Sequence, residues 1–177
     1  MNIASKYSES ISTQKYTEKA HIDGLQLVPL TLHTDDGGNF LEIFRMQDGT
    51  IQGLEMPFQA LQVSMSMMEP SVVKAYHIHQ NQDDLWFVPP THRLLVNQLD
   101  IREDSPTFDT HIRLVLGGGS AKLLRIPHGV AHGVKNCYSQ PMYLFYATNQ
   151  QFNPEQPDEL RLPWDHFGAD VWDLQKG

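Results

Sequence analysis

The stretch "LQVSMSM", Leu61–Met67, sets Leu61, Val63, Met65 and Met67 on one side of the chain and Gln62, Ser64 and Ser66 on the other. A period of two is the mark of a half-buried β-strand, whose successive side chains point to opposite faces. Working outward, similar short segments recur along the chain: "LQLVPLTL", "FLEIFRM", "VVKAYHI", "LWFV", "RLLVNQLDI", "HIRLVL", "AKLLRI" and "MYLFYAT", parted by Gly, Pro, Asp and Asn. No long stretch carries a helical stripe. Many short strands with turn signals between them indicate an all-β, antiparallel sandwich or barrel. "DDGG" (Asp35–Gly38) and "LGGGS" (Leu116–Ser120) read as turns. The glycine triplet lacks the Lys-Ser/Thr and the helix that a phosphate loop needs.

At 177 residues and 40% apolar content the chain is expected to form one globular domain. Residues 1–20 are polar and aperiodic and read as an arm or tail, leaving 21–177 as the domain. After Asn149 the sequence turns rich in proline and polar residues and reads as a flap over the barrel. A net charge of −8 excludes the broad basic face that nucleic-acid binding requires. The single cysteine, Cys137, excludes an internal disulfide and Cys-rich metal sites. The first twenty residues lack a signal-peptide core, and no apolar run reaches the length of a membrane span. The expected setting is the cytoplasm.

Two clusters carry candidate chemistry. In "AYHIHQNQDDLWFVPP" (Ala75–Pro90), His77 and His79 share one strand face with Ala75, while Tyr76 and Ile78 take the other. Two imidazoles on an inward face need partners or a purpose, because buried polar groups are costly unless bonded. On an outward face they would be ordinary polar residues. The second cluster, "IPHGVAHGVKN" (Ile126–Asn136), has a turn at Pro127 and Gly129 followed by His132 on a strand.

Together these clusters resemble the two motifs of the cupin superfamily: H-x-H then an acid (His77, His79, Asp83 or Asp84), and P-x-G-x-x-H-x-x-x-N (Pro127, Gly129, His132, Asn136). That likeness implies a jelly-roll barrel. It also allows one divalent metal ion on His77, His79, His132 and Asp83 or Asp84, a nitrogen–oxygen set suited to Fe, Mn, Ni or Zn. A further resemblance covers the chain from His21 onward, through "IDGLQLVPL", "DDGGNFLEIF", "VVKAYHIHQNQDDLWFV", "LDIREDSPT", "IPHGVAHGV" and "YLFYATNQQFNPEQPDELRLPWD". These pieces are similar to the dTDP-4-dehydrorhamnose 3,5-epimerase family, in a divergent side-branch. The resemblance implies a cofactor-independent epimerase of a nucleotide-linked 4-keto-6-deoxy sugar in deoxysugar and polysaccharide biosynthesis. By motif position His77 is the base, Tyr146 the acid on the opposite sugar face, and His132 a pocket residue. A homodimer is implied as well. A neutral imidazole suits proton abstraction beside a ketone, since its reference pKa of roughly 6.5 lies near neutrality.

The chain also departs from that family. Gly37 replaces an early phosphate-binding arginine, and Lys74 replaces the arginine before the base, keeping the charge but not the bidentate fork. Asp84 stands where a lysine is expected near the enolate, and His79 where a glutamine is expected. Lys74, His79, Asp84 and Arg93 are the candidate substrate-binding residues, with Lys122 and Arg125 as further cations and Trp86 and Trp164 as stacking surfaces. Asp165, Asp170 and Asp173 are the candidates for the carboxylate that orients the base. Two other functions remain open from the residues: a metal-dependent cupin enzyme and a non-catalytic carbohydrate-binding cupin.

Overall fold

The computed structural model describes residues 2–14 and 20–175. Fourteen strands carry the fold: β1 (Gln26–Pro29), β2 (Leu32–Asp35), β3 (Gly38–Leu41), β4 (Met46–Gln47), β5 (Thr50–Ile51), β6 (Gln62–Met68), β7 (Val73–Ile78), β8 (Asp84–Phe87), β9 (Arg93–Asp100), β10 (His111–Gly117), β11 (Lys122–Ile126), β12 (Val130–Lys135), β13 (Met142–Thr148) and β14 (Leu160–Arg161). They form two five-stranded antiparallel sheets, ordered β1-β11-β8-β13-β6 and β10-β9-β12-β7-β14, with two small hairpins outside them. This is the expected jelly-roll arrangement of facing sheets. The only regular helical pieces among the described residues are two 3-10 turns, Ser5–Ser10 and Ala169–Trp172. The described part of the arm is exposed, and its turn buries nothing. Residue 1 and residues 15–19 of that arm lie outside the described residues, as do 176 and 177.

The central strands of both sheets are covered on both faces, which explains why β8, β9 and β12 are buried almost end to end. Between the sheets pack Met68, Trp86, Val88, Leu94, Val96, Leu116, Leu124, Val134 and Leu144. Behind the first sheet, Leu85, Phe87, Leu123 and Ala147 pack under Ile43, Phe44, Ile51 and Phe58. Behind the second, Tyr76, Ile78, Leu95 and Leu99 pack under Leu162, Phe167 and Trp172 of the C-terminal segment. That segment is the expected flap, but it lies on the outer face of a sheet as a structural layer.

Strand β6 keeps its period of two with an unusual sense. Gln62, Ser64 and Ser66 face inward, while Val63 and Met65 are 63% and 56% exposed on the outer face of an edge strand. Strand β7 departs from simple alternation. Its register against β12 slips between His132↔His77 and Val134↔Lys74, so one extra residue bulges out of β7. Ala75 therefore packs with Tyr76 on the outer side, not with His77, and Lys74 is turned to the inside together with His77 and His79. The bulge presses Ala75 onto Gly133, where a Cβ would stand 2.3 Å from that of Ala75; only glycine fits there.

The segment "LDIREDSPT" turns out to be structural. Asp100, fully buried, accepts hydrogen bonds from Arg102 Nε and Nη2 (both 2.8 Å), Ser105 Oγ (2.6 Å) and Thr107 Oγ1 (2.7 Å). Arg102 Nη2 also donates to the Asp23 carbonyl at 2.7 Å, tying the start of the domain to this loop. Burial pushes the Asp100 carboxyl up, but these donors outweigh it and hold it well below the usual carboxylate range. A depressed folded-state value adds stability above the unfolded value of about 3.9, and that stability is lost as pH falls through the folded one. Asp100→Ala is expected to cost about 3 kcal/mol in urea denaturation at pH 7. It should also flatten the loss of stability below about pH 4 that the wild type shows. A change under about 0.5 kcal/mol would refute the assignment.

Candidate active site

Between the sheets a cavity of about 860 Å³ opens, a size suited to a small organic ligand. From the second sheet come Lys74, His77, His79 and His132, and from the first Gln62, Ser66, Asp84, Trp86 and Tyr146. The rim is built by residues 150–159, the beginning of the proline-rich segment.

His77 and His132 sit directly opposite each other on β7 and β12, their rings stacked 6.0 Å apart at 19°. On the other side of β7 lies β14, pairing Arg161 with His77. Arg161 Nη1 donates to His77 Nε2 at 2.8 Å. A guanidinium only donates, so Nε2 must be the acceptor and the proton of this neutral ring sits on Nδ1. The Glu159 carboxylate is 3.5 Å from that Nδ1 and also pairs with Arg161. Burial, followed by the neighbouring His132 and Arg161 charges, pulls the His77 pKa down to about 3. Glu159 is thus the carboxylate beside His77. Asp165, Asp170 and Asp173 do not line the cavity, and the Asp173 carboxylate lies 3.9 Å from Lys135 Nζ.

His79 and His132 are both buried and held alike. His79 Nδ1–H donates to the Asp158 carbonyl, and His132 Nδ1–H donates to the Val130 carbonyl at 2.9 Å. Each Nε2 lone pair therefore turns toward Asp84, at 3.9 Å from Oδ1 for His79 and 3.6 Å from Oδ2 for His132. The Asp84 carboxylate is fixed by Gln82 Nε2 (2.8 Å) and Trp86 Nε1 (2.9 Å). Burial lowers the His132 pKa, with the Asp84 charge opposing it. Asp158 anchors the turn after β7 through three backbone amides, those of Gln80 (2.9 Å), Asn81 and Gln82 (both 2.8 Å).

Several expected residues are placed differently. Asp83 points away from the cavity, into an ion pair with Arg125 and bonds from His128 N (2.9 Å) and Nδ1 (2.8 Å). A ligand set containing Asp83 is thereby ruled out, and Arg125 is occupied by the same pair. Arg93 lies at the outer start of β9 with its guanidinium over Tyr138, 5.4 Å from the ring centroid, and does not reach the cavity. Lys122 and Trp164 do not line the cavity either. Trp86 does, held edge-on against His132. Lys74 is a wall residue, its Nζ donating to Ser66 Oγ (2.6 Å) and to the Met67 carbonyl (3.1 Å). The expectations missed Asp158, Glu159 and Arg161. The alternation in "DELRL", with Glu159 and Arg161 against Leu160 and Leu162, is the signal that could have found them.

Comparison with known proteins agrees with this architecture. Residues 19–172 match the model of the dTDP-4-dehydrorhamnose 3,5-epimerase family. The chain is 40% identical to the spore coat polysaccharide biosynthesis protein SpsL of Bacillus subtilis, over 81% of this chain and 91% of that protein. It is 32% identical to a probable low-salt glycan biosynthesis epimerase of Haloferax volcanii, over 82% and 90%. Among solved structures, an epimerase from Legionella pneumophila in complex with dTDP-4-keto-L-rhamnose superposes with a TM-score of 0.72 at 25% identity, over 89% of this chain and 83% of that one. No helix of the described residues is long and apolar enough to cross a membrane. With the fold, the two histidine strands and the family match in agreement, the chain belongs to the dTDP-4-dehydrorhamnose 3,5-epimerase family, a family of nucleotide-sugar epimerases.

Proposed function

We propose that this cavity epimerises a nucleotide-linked 4-keto-6-deoxy sugar by proton transfer next to the ketone, with His77 as base and Tyr146 as acid. One observation carries the reading: the two residues line a single cavity from facing sheets, so a sugar between them meets one on each face. His77 Nε2 takes the proton from the carbon beside the ketone, leaving an enolate, and the Tyr146 hydroxyl returns a proton from the other side, inverting the centre. Glu159 holds the imidazolium that forms, through Nδ1. Lys74 supplies positive charge to the anionic substrate from the wall. Arg161 caps the base and must leave Nε2 before a proton can arrive; an incoming diphosphate gives it another partner. The setting on this reading is the cytoplasm, where Cys137 stays a free thiol.

The active form on this reading is a homodimer. The outer face of β6 presents Leu61, Val63, Met65 and Met67 beside Tyr143 and Phe145 of β13, an apolar patch on a free sheet edge. A second copy of the same patch is its natural cover.

Three measurements test this. Solvent deuterium should enter the carbons flanking the ketone of a dTDP-4-keto-6-deoxy sugar. His77→Ala and Tyr146→Phe should slow that exchange by about 100-fold or more; equal rates would refute the roles. Because His77 is held to about 3 in the free chain, the acid limb of kcat/KM should lie well below the ordinary histidine value. Arg161→Gln removes one of the charges pulling it down and should move that limb upward; a wild-type limb near 6.5 that the variant leaves unmoved would count against it. Light scattering should give twice the chain mass for the wild type and the monomer mass for Val63→Lys/Met65→Lys. A monomeric wild type at about 10 μM would remove the dimer.

A further inference from the structure

His79, Asp84 and His132 each aim one ligand-type atom at a common point, all within 4.8 Å of one another and all buried. We propose that this triad is a binding site for one divalent transition-metal ion, held by His79 Nε2, His132 Nε2 and an Asp84 oxygen. Three observations carry it. First, both imidazoles donate Nδ1–H to backbone carbonyls, which fixes each ring with its Nε2 facing the carboxylate. Separations of 3.6 and 3.9 Å are too long for hydrogen bonds. Metal–ligand bonds of about 2.0–2.2 Å leave their donor atoms roughly 3.0–3.6 Å apart, so a triad whose atoms lie within 4.8 Å of one another must draw together by up to about 1 Å to close on an ion.

Second, the surrounding bonds are those that orient ligands: a carbonyl behind each imidazole, and Gln82 and Trp86 behind the carboxylate. The amide of Gln82 also reaches His79 Nε2 at 3.3 Å, a long contact that an entering ion replaces. Third, Gln98 registers directly opposite His132 on β9, is fully buried, and has no partner for either end of its amide among the described residues. A buried amide in register with His132 and with neither end paired marks a polar environment behind that ligand.

Two imidazoles and one carboxylate suit Zn, Mn, Fe or Co rather than Mg or Ca. His77 is outside the set, because its Nε2 belongs to Arg161. The ion also changes the cavity's charge. The cavity lining carries Asp84, Asp158 and Glu159 beside Lys74, and Arg161 is already paired with Glu159, so an anionic sugar nucleotide gains from two further positive charges. That last consequence rests on the proposed function; the site does not.

The full-length chain, stripped with EDTA, is titrated calorimetrically with Zn²⁺, Mn²⁺ and Co²⁺, and the Co²⁺ form is read by its visible ligand-field bands. One equivalent of Zn²⁺ or Co²⁺ is expected to bind with a Kd of about 10 μM or tighter. His79→Ala and, as an isosteric second variant, Asp84→Asn should weaken it about 100-fold, while His77→Ala leaves it within about threefold. No binding by the wild type up to about 1 mM overturns the site, as does affinity that survives His79→Ala or is lost in His77→Ala. Because the readout is binding, a metal-free but active epimerase would sink this site and leave the proposed reaction standing.

Discussion

The grip of Asp158 on the turn after β7 is the interaction on which the site depends. One carboxylate takes three consecutive backbone amides, which pins the turn and with it the entry to β8. The carbonyl of the same residue fixes the His79 ring. Burial works against a charged Asp158, yet the three amides outweigh it and hold its carboxyl below the ordinary range. The C-terminal segment is therefore part of the machinery. Its first residues set the tautomer of one histidine, the next place a carboxylate and a guanidinium at another, and the rest cover the outer face of the sheet.

Strand content, the antiparallel class and the cavity's two histidine strands were all legible in the chain, because period two and Gly/Pro punctuation are local properties. What was not legible depends on contacts between distant segments. The period of β6 could be read from its residues, but not that the serine face would be the inner one; that follows from the cavity and from an apolar edge left for another surface. Alternation alone put Ala75 with the histidines. The bulge against Gly133 moves it out and turns Lys74 in, and a bulge is decided by the partner strand. Glu159 is illegible for a related reason: it reaches His77 because β14 pairs with β7 at Leu160 and Arg161, a contact between segments far apart in the chain.

The adjacent pair "DD" shows how strongly geometry separates like residues. Asp83 and Asp84 are consecutive, both buried, and on opposite sides of a strand start. Asp83 closes a structural ion pair with Arg125 and fixes the His128 turn that begins the second motif. Asp84 faces the cavity with neutral partners alone, Gln82 and Trp86. Among the described residues the ionisable groups within 4 Å of its oxygens are His79 and His132, at 3.9 and 3.6 Å. A buried carboxylate in that position is costly unless something positive sits beside it, whether a proton, an ion or a substrate.

The same logic distributes the two histidines of β7. They share a face, but their Nδ1 and Nε2 atoms meet different groups. His77 has its Nε2 capped by a guanidinium that is itself more than half exposed and is paired with Glu159 as well. His79 has its Nδ1 locked on a carbonyl and its Nε2 directed inward at a fixed carboxylate, an arrangement with no moving part. Two imidazoles one residue apart are thus held in different ways, because β14 reaches the first and the Asp158 turn holds the second.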